Sequence, residues 1–554
     1  MSGNVETTCH AVHAGFFERA AANPASIALD FGDQVCSYGD LRTLSLGIAD
    51  AVGTCGAAGA ASPWVGMLAG KSLHGYAAML GILAASKGYM PLSCLAPGAR
   101  VADMIERSGT SLLFVDEEGV RALPSVLARI NRRLTVLVGM ADENAAAQVE
   151  TLEKAWPSHA FRRVAPAAMD CQSPALEVRR DMPVYLLFTS GSTGRPKGVM
   201  VSHGNVRHFL DAMADRYSFT ATDRFSQNFD FTFDLSVFDV FACLGAGGCI
   251  CVPSGGDRVL PARYINRSRL TVWFSVPSAV TAMQATRQLK PGAFGGLRYS
   301  FFCGEALIVK AARAWQAAAP PGKLVNLYGP TEATICCTEY AWSTKDRSLA
   351  DEHIVPIGSA FPGLHASVRD ESGLAVAGEE IGELCIGGPQ VALGYLDSPE
   401  ENEKRFVEDT SSGQRLYRTG DRVFLDARGC LHFVGRVDHQ VKVKGYRIEL
   451  GEVEQALRAC SVDANAVAVP WPPQGPHERL VAVCDVGGRA EREGQRLIGE
   501  LRQRLPDYML PDEVVFMDRF PLNGNGKIDR RAVTQALADR LTGLRVGAPR
   551  GGNA

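Results

Sequence analysis

The chain has 554 residues, of which 46% are apolar and 21% charged, which is typical of a folded enzyme with more than one domain. Its net charge of −3 gives no electrostatic reason for a nucleic acid or an anionic membrane surface as partner. The 15 cysteines lack the even spacing of a disulfide framework. The N-terminus lacks a basic-then-apolar leader and no apolar run reaches about 18 residues, so we expect a cytoplasmic protein with reduced thiols.

The first half of the chain predicts strands that alternate with helices. Residues 12–55 predict a helix, a hairpin-like strand pair and a second helix, and residues 64–100 predict a strand, a helix and a strand. Residues 141–180 are rich in alanine and charge with weak periodicity, and they predict a peripheral excursion. Strands alternating with helices favour a mostly parallel sheet with helices on its faces. The same alternation recurs at 112–140, 200–252, 270–303 and 324–340.

The second half changes texture twice. Beyond about residue 355, short strands separated by glycine turns predict an antiparallel β subdomain. After Gly435-Arg-Val-Asp-His, alternating strands and helical stretches predict a small α+β domain. We therefore expect an α/β fold: a large N-terminal domain of parallel sheets with helices plus a β subdomain, and a small C-terminal α+β domain. The predicted boundaries are 1–437 for the large core, 438–540 for the small domain and 541–554 for a disordered tail.

Residues 188–200 carry the strongest chemical signal, and they read Phe-Thr-Ser-Gly-Ser-Thr-Gly-Arg-Pro-Lys-Gly-Val-Met after an apolar run. Glycines let the backbone wrap an anion, hydroxyls donate to phosphate oxygens, and Lys197 adds positive charge. The pattern predicts a strand followed by a loop that holds a polyphosphate. A Gly/Ser-rich surface loop is the alternative for this segment alone. No Gly-Lys-Ser/Thr closes the loop, so it is not the Walker A motif of a P-loop kinase or ATPase.

Five further segments accompany this loop, and together they resemble the adenylate-forming enzymes. The resemblance covers about residues 12–535 and is closest to the amino-acid adenylation domains of nonribosomal peptide synthesis and the D-alanine–carrier-protein ligases. The segments are Phe302-Cys-Gly-Glu-Ala, Asn326-Leu-Tyr-Gly-Pro-Thr-Glu-Ala-Thr, Tyr417-Arg-Thr-Gly-Asp, Gly435-Arg-Val-Asp-His-Gln-Val-Lys-Val-Lys-Gly-Tyr-Arg-Ile-Glu-Leu-Gly-Glu and Asn523-Gly-Asn-Gly-Lys-Ile-Asp.

The resemblance implies a ligase that uses ATP and Mg²⁺ in two steps. A substrate carboxylate attacks the α-phosphorus of ATP and pyrophosphate leaves. A phosphopantetheine thiol then attacks the acyl adenylate and AMP leaves. The nucleophiles belong to the substrates, so the protein contributes positioning and neutralisation of phosphate charge.

Each matched residue around ATP has an implied role. Thr331 would contact the α-phosphate, and Glu332 would hold Mg²⁺, although a first-turn helix charge is its alternative. Tyr328 would stack on adenine or serve only core packing. Asp421 would accept both ribose hydroxyls or serve only as a turn residue. Arg436 would contact the ribose or phosphates, and a surface arginine is its alternative. The β- and γ-phosphates would contact Thr189, Ser190, Gly191, Ser192, Thr193, Gly194 and Lys197, and the other matched nucleotide positions are Gly304, Glu305 and Asn326.

Two further residues are implied to act through domain motion. Lys527 would bridge the substrate carboxylate and the α-phosphate during adenylation, which makes it catalytic together with Thr331 and Glu332. Asp438 matches the hinge about which the small, mobile domain of such enzymes rotates between the two half-reactions.

The segment from Phe231 to Asp239 matches the start of the family's substrate pocket. Asp234 would pair with a substrate ammonium, because a substrate without the amine leaves a buried carboxylate unpaired; a helix cap is the alternative. No other charge would face the pocket apart from Lys527, and three phenylalanines reduce its volume, which favours a small to medium apolar amino acid. By the same alignment the lining residues are Asp234, Leu235, Phe238, Phe274, Phe301, Cys303, Leu327, Ile335 and Cys336.

The favoured substrate is L-proline. Leu235, an aromatic residue at 274, Leu327, a β-branched residue at 335 and Cys336 resemble the pockets of stand-alone proline-activating enzymes. However, Val-Trp-Phe-Ser-Val-Pro-Ser and Phe-Phe-Cys-Gly-Glu resemble the D-alanine ligases, so alanine, glycine or 2-aminobutyrate is the alternative. An acyl- or aryl-CoA ligase is a further alternative, and a non-catalytic scaffold protein is the last.

The expected partner is a separate phosphopantetheinylated carrier protein. No carrier-like segment with a pantetheine-bearing serine follows Lys527, and no His-His-x-x-x-Asp condensation signature precedes residue 12. We therefore expect a free-standing enzyme that docks its carrier transiently. The resemblance also leaves room for a small helper protein.

Overall fold

The protein is represented by a computed structural model, whose chain divides into two compact units. The first comprises residues 1–189 and 196–438, and the second comprises residues 190–195 and 439–554. Of residues 145, 492, 493 and 541–546 only the backbone is described. The described residues are 8–56, 62–140, 145–167, 174–191, 195–343, 349–351, 353–376, 378–409, 412–438, 440–460, 465–473, 477–485, 492–522 and 528–546.

The first unit holds most of the strands and helices. Its strands are β1 (Thr8–His10), β2 (Ile27–Asp30), β3 (Val35–Ser37), β4 (Trp64–Leu68), β5 (Gly88–Leu92), β6 (Leu112–Val115), β7 (Thr135–Val138), β8 (Ala160–Arg163), β9 (Glu177–Arg179), β10 (Pro183–Thr189), β11 (Lys197–Ser202), β12 (Arg224–Ser226), β13 (Cys249–Cys251), β14 (Val272–Ser275), β15 (Tyr299–Phe302), β16 (Lys323–Tyr328), β17 (Thr338–Ala341), β18 (Ser359–Ala360), β19 (His365–Arg369), β20 (Gly382–Gly387), β21 (Gly394–Tyr395), β22 (Phe406–Glu408), β23 (Arg415–Leu425) and β24 (Leu431–Arg436). Its helices are α1 (Ala14–Ala22), α2 (Tyr38–Gly56), α3 (Leu73–Ala84), α4 (Gly98–Ser108), α5 (Glu117–Leu127), α6 (Ala145–Ala155), α7 (His203–Arg216), α8 (Leu235–Ala246), α9 (Gly255–Val259), α10 (Pro261–Arg267), α11 (Pro277–Ala285), α12 (Val309–Ala318) and α13 (Pro399–Arg405), with a 3₁₀ turn at Thr331–Ala333.

Eight of the described strands form one large sheet, in the order β21-β11-β10-β5-β4-β6-β7-β8. The strands from β10 to β8 run parallel, and β11 and β21 are antiparallel. The prediction of a peripheral excursion at 141–180 is wrong for α6 and β8, because β8 extends this sheet beside β7. β8 has only four residues, and Phe161 is its buried one, so the segment is too short to show a period in the sequence.

A second sheet has nine described strands, in the order β18-β17-β16-β15-β14-β12-β13-β2-β3. Strands β16 to β2 run parallel, so their carboxyl ends meet at one edge, which is where parallel sheets bind ligands. Phe274 lies opposite Phe301 in the register of β14 and β15. The main hydrophobic core joins both sheets through buried residues such as Tyr185 and Phe225. The expected α/β class with parallel sheets and helices is confirmed.

The predicted β subdomain is a smaller sheet in which β19, β20, β23 and β22 follow one another and β24 pairs with β23. Its strand pairs are antiparallel throughout. The pairing of β23 with β24 places Asp421 directly opposite Arg436. Two residues far apart in the motif order therefore become cross-strand neighbours.

The second unit is a small α+β domain. Helix α16 continues past Leu541, where the sequence predicts a disordered tail, because no proline interrupts the segment before residue 549. Among the described residues, no helix is both long and apolar enough to cross a membrane. The elements are β25 (Gln440–Val443), β26 (Tyr446–Glu449), β27 (Asn465–Trp471), β28 (Arg479–Asp485), β29 (Glu513–Met517), α14 (Leu450–Cys460), α15 (Arg492–Leu501) and α16 (Arg530–Val546).

Candidate functional site

The predicted phosphate loop begins where β10 ends. Thr189 pairs with Lys197 in the antiparallel register of β10 and β11. Lys197 Nζ lies 2.7 Å from a carboxylate oxygen of Glu401 on α13, a partner to which no sequence pattern points. Burial opposes ionisation of Glu401, but the hydrogen bond and charge of Lys197 outweigh it and lower the pKa of this carboxyl.

The remaining loop residues belong to the second unit by their contacts, whereas the sequence places them in the large core. Ser190 Oγ donates to the backbone carbonyl of Arg447, 2.8 Å away, and Gly191 is buried beside it in sequence. Ser192, Thr193 and Gly194 lie outside the described residues, as does Lys527. Their roles stay predictions from the resemblance.

Tyr328, Asp421 and Arg436 form one hydrogen-bonded group. The Tyr328 hydroxyl donates to one carboxylate oxygen of Asp421, and the Arg436 guanidinium donates to the other. Burial raises the pKa of Tyr328, and the charge of Asp421 acts in the same direction. The three predicted nucleotide contacts therefore meet at the end of β16 and the β23–β24 pair.

The predicted hinge residue closes the same group. Arg436 donates to both carboxylate oxygens of Asp438, at 2.7 and 2.8 Å, and Arg405 lies 3.2 Å from one of them. Two guanidinium groups thus hold Asp438 at the last residue of the first unit. Its role as a hinge stays a prediction.

Glu332 lies in the 3₁₀ turn after β16 and is 1% exposed. The Tyr395 hydroxyl donates to Glu332 Oε1 at 2.7 Å, and the Ala392 backbone N–H donates to the Glu332 carbonyl at 2.9 Å. Tyr395 was not among the predicted residues, and its place on the short strand β21 is visible only in the fold. A buried carboxylate oriented by one hydroxyl is a suitable oxygen ligand for Mg²⁺.

Three other predicted nucleotide positions have structural partners. Gly304 has φ +93°, a left-handed conformation that favours glycine, directly after β15. Glu305 accepts a hydrogen bond from the Ser278 backbone N–H at 2.8 Å. The buried Asn326 amide donates to the carbonyls of Val355 and Pro356, at 3.3 and 2.9 Å. Asn326 thus ties β16 to the start of the β subdomain, and its contact with a nucleotide stays a prediction.

Asp234 occupies the N-cap position of α8 and is 8% exposed. Its side chain makes no capping hydrogen bond to the helix, which argues against the simple cap alternative. Burial raises the pKa of the hydroxyl groups of Tyr89 and Tyr185, and the charge of Asp234 adds to both shifts. These two hydroxyls are buried without a hydrogen-bond partner in the described structure, and they line the surroundings of Asp234 from the other large sheet.

The predicted apolar lining clusters at the carboxyl ends of β14, β15 and β16. The rings of Phe238 and Phe274 have centroids 5.4 Å apart, and those of Phe238 and Phe301 are 5.5 Å apart. Cys303 and Cys336 bring their sulfur atoms to 3.5 Å. The structure therefore brings the predicted lining residues into one buried cluster, whose other members are Leu235, Leu327 and Ile335.

The wall that carries Ile335 has a strained backbone. Thr334 and Ile335 have φ values of +57° and +70°, which are rare for β-branched residues. The buried Gln390 amide donates to the carbonyls of Ala333, Thr334 and Cys336, at 3.2, 3.1 and 2.7 Å. Gln390 is thus the side chain that holds this wall in place, and no motif in the sequence points to it.

Gln390→Leu is expected to destabilise the protein by about 2–4 kcal/mol, since it leaves several buried carbonyls without a donor. It should also raise KM for the amino acid about tenfold, because the wall at Ile335 loses its support. Urea unfolding and substrate titration measure the two effects. Gln148→Leu, a change of the same type at an exposed position on α6, is the control. An unchanged KM in Gln390→Leu would contradict the supporting role.

A second buried polar group lies behind the pocket helix. Asp239 on α8 is fully buried, and neither of its carboxylate oxygens has a hydrogen-bond partner in the described structure. Burial raises its pKa well above the ordinary value, although the charge of Lys71 opposes the shift. Lys71 Nζ donates to the carbonyls of Gln227 and Asn228 at 2.9 and 3.3 Å, and burial lowers the pKa of this ammonium to about 8.

Asp239→Asn is expected to stabilise the protein at neutral pH, by an amount that grows with pH. The native carboxyl keeps its proton where the unfolded one loses it, so the wild-type free energy of unfolding falls as pH rises above about 4, whereas asparagine does not titrate. Urea unfolding of both proteins at about pH 5, 7 and 8 measures this difference. Lower stability of Asp239→Asn throughout would instead show an ionised Asp239 paired with Lys71.

Comparison with known proteins agrees with this geometry. The model of the family described as AMP-binding enzyme matches residues 16–396, and that of the AMP-binding enzyme C-terminal domain matches residues 452–527. The chain is similar to part of the linear gramicidin synthase of Brevibacillus parabrevis, with 34% identity over 85% of this chain and 8% of the relative. It thus spans less than a tenth of that relative's length.

Two further likenesses extend over both chains. The D-alanine--D-alanyl carrier protein ligase of Bacillus velezensis is 30% identical over 94% of this chain and 98% of the relative. The crystal structure of the Vibrio cholerae adenylation domain AlmE in complex with glycyl-adenosine-5'-phosphate has a TM-score of 0.84 and 28% identity, over 95% of this chain and 98% of that one. The predicted resemblance is therefore confirmed, and this chain belongs to the AMP-binding enzyme family as a ligase of its amino-acid-adenylating type.

Proposed function

We propose that this ligase activates a small apolar amino acid, L-proline in the first place, and transfers it to the phosphopantetheine thiol of a separate carrier protein. The observation that carries the proposal is a buried carboxylate, Asp234, at the head of a cluster of apolar side chains. A carboxylate in such surroundings is costly without a cation beside it. An amino-acid ammonium supplies that cation, whereas the acyl and aryl acids of CoA ligases do not.

The apolar cluster supports the size and polarity of the side chain. Phe238, Phe274 and Phe301 meet edge to face and occupy much of the space beyond Asp234. A charged or strongly polar substrate side chain would lose its hydrogen bonds among them. Proline fits this description because its ring is compact and apolar.

Glycine or alanine is the second candidate, and two likenesses favour it. AlmE was crystallised with a glycyl adenylate, and the ligase of Bacillus velezensis is named for D-alanine. Both cover nearly the whole chain. A smaller substrate would leave more of the space beside Cys303 and Cys336 unfilled.

In the proposed first step, a carboxylate oxygen of the amino acid attacks the α-phosphorus of ATP and pyrophosphate leaves. Asp234 would hold the ammonium, and Thr331 would donate to the α-phosphate. Tyr328, Asp421 and Arg436 would orient the adenosine, because their side chains form one fixed group. Mg²⁺, when bound at Glu332, would supply positive charge for the phosphate oxygens.

The proposed second step uses the same pocket. The carrier thiol attacks the carbonyl carbon of the adenylate, AMP leaves, and a thioester forms. The D-alanyl carrier protein ligase and a solved structure described as an NRPS protein containing adenylation and PCP domains support a carrier protein as partner. We propose the predicted rotation about Asp438 as the change that separates the two steps.

Lys527→Ala is expected to lower the rate of adenylation about 10²-fold while leaving the KM for ATP nearly unchanged, because the lost ammonium would act on charge that develops in the transition state. Aminoacyl-AMP formation under single-turnover conditions measures the effect. Lys404→Ala, an exposed lysine on α13, is the matched control. A near-normal adenylation rate would remove Lys527 from the proposed mechanism.

Free pantetheine tests the whole reaction without a known carrier. With proline, ATP, Mg²⁺ and pantetheine, the protein is expected to form AMP and a prolyl thioester in equal amounts. Hexanoate in place of proline should give neither product. A thioester formed from hexanoate but not from amino acids would overturn the proposal in favour of a CoA-ligase-type activity.

A further inference from the structure

Two cysteines meet inside the proposed amino-acid pocket. Cys336 Sγ lies 3.5 Å from Cys303 Sγ, and the two residues are 0% and 1% exposed. Cys303 directly follows β15, and Cys336 follows the 3₁₀ turn after β16. The parallel pairing of these neighbouring strands brings together two thiols that are 33 residues apart.

We propose that Cys303 and Cys336 are a site of covalent oxidation, at which hydrogen peroxide converts the thiol pair into a disulfide that closes the amino-acid pocket. This inference rests on the proposed function, because it takes these residues as part of the substrate pocket. A disulfide requires the sulfur atoms to approach from 3.5 Å to about 2.05 Å, so a movement of about 1.5 Å shared by two loops suffices.

The reaction balances with peroxide as the only oxidant. Peroxide first converts one thiol to a sulfenic acid and releases water. The sulfur of the other thiol then attacks the sulfenic sulfur, and the hydroxyl group leaves as a second water. Two thiols lose two electrons and two protons in total, and one peroxide is reduced to two waters.

The surroundings of the pair make the reaction conditional. Burial raises the pKa of Cys336, and the neighbouring Cys303 thiol and the charge of Asp234 act in the same direction. Oxidation begins from a thiolate, so its rate is expected to rise with pH. An amino acid bound at Asp234 would occupy the space through which peroxide reaches the sulfur atoms, so the substrate is expected to protect the pair.

The bridge is expected to change the pocket because its wall is already constrained. Gln390 fixes the carbonyl of Cys336, and Ile335 beside it has a left-handed backbone. Drawing Cys336 toward Cys303 displaces this wall, and a displacement of about 1 Å near reacting groups costs up to about 10²-fold in rate. We expect amino-acid-dependent activity to fall at least about tenfold on oxidation.

The test treats the full-length, reduced protein with hydrogen peroxide, with and without proline and ATP. Peptide mapping by mass spectrometry detects the link between residues 303 and 336, and ATP–pyrophosphate exchange follows activity. The expected result is this link, a matching loss of exchange, recovery with dithiothreitol, and slower linking when proline and ATP are present. A link without loss of exchange would overturn the inference.

Single variants show whether the pair is responsible. Cys303→Ala and Cys336→Ala, each compared with its own untreated rate, are expected to resist inactivation. The double variant Cys249→Ala/Cys251→Ala keeps the pocket pair and is expected to lose exchange as the wild type does. Inactivation that disappears only in this double variant would assign the effect to β13 and overturn the inference.

The failures of the two proposals are distinguishable. An exchange-active protein in which peroxide forms no link between residues 303 and 336 would overturn the oxidation site and leave the proposed function standing. A reduced protein without any amino-acid-dependent exchange would overturn the proposed function, and with it the pocket closure, even if the link formed.

Discussion

Asp234→Asn is expected to lower kcat/KM for the amino acid by about 10²- to 10³-fold, because it removes the charge that would pair with the buried ammonium. The variant keeps the size and shape of the side chain, so the packing around α8 should persist. KM for ATP should change little, since the nucleotide contacts lie on other residues. Initial rates of exchange at varied amino-acid concentration measure the effect.

The expected size of this loss follows from the surroundings of Asp234. The side chain is buried at the start of α8 without a capping bond, and the pKa shifts of Tyr89 and Tyr185 register its charge nearby. An ammonium left facing a neutral amide in such surroundings pays its desolvation without an opposite charge. Phe238, one helical turn later, gives the ammonium no alternative partner.

Asp230→Asn is the matched control for this prediction. Asp230 precedes the same helix but is exposed, and its carboxylate accepts bonds from the backbone and hydroxyl of Thr232. We expect this control to keep nearly full activity. Equal activities of Asp234→Asn and the wild type would show that the ammonium binds elsewhere.

Glu332→Gln is expected to lower the exchange rate by about 10²- to 10³-fold and to raise the Mg²⁺ concentration needed for half-maximal rate, because an amide oxygen binds this ion less tightly than a carboxylate. The amide oxygen of glutamine still accepts the hydrogen bond that Tyr395 donates to Glu332. The turn should therefore remain folded. Exchange measured across a range of free Mg²⁺ separates the two effects.

Tyr395→Phe divides the role of Glu332 into position and charge. It removes the bond that orients the carboxylate but leaves the charge, so we expect a loss of about tenfold with a smaller change in Mg²⁺ dependence. Glu371→Gln, a change of the same type at an exposed position in the β subdomain, is the control. Unaltered Mg²⁺ dependence in Glu332→Gln would remove this residue from the metal site.

Motifs in the sequence were sufficient to predict the family and most of the site. The glycines, hydroxyls and carboxylates of such motifs are fixed by the chemistry of phosphate and ribose, so their order along the chain identifies the reaction. The clustering of Tyr328, Asp421 and Arg436 agrees with that reasoning. Alternating strands and helices likewise predicted the parallel sheets, because each strand there is buried on both faces.

The residues that orient the site could not be predicted. Gln390, Tyr395 and Glu401 lie in or next to short segments after β20, where the sequence shows only a loop-rich region. Their partners are brought to them by sheet pairing across long stretches of chain. A single buried amide that holds a strained turn has no periodicity and no motif. The short strand β8 escaped prediction for a related reason, since four residues give too little pattern.

The most direct test of the proposed function is ATP–pyrophosphate exchange across the proteinogenic amino acids, D-alanine, and a few aryl and fatty acids. The proposal predicts exchange that depends on an amino acid, with the strongest response to L-proline and the next to alanine or glycine. A strongest response to alanine or glycine would keep the mechanism and replace the favoured substrate. Exchange only with acids that lack an amine would contradict the pairing of Asp234 with a substrate ammonium.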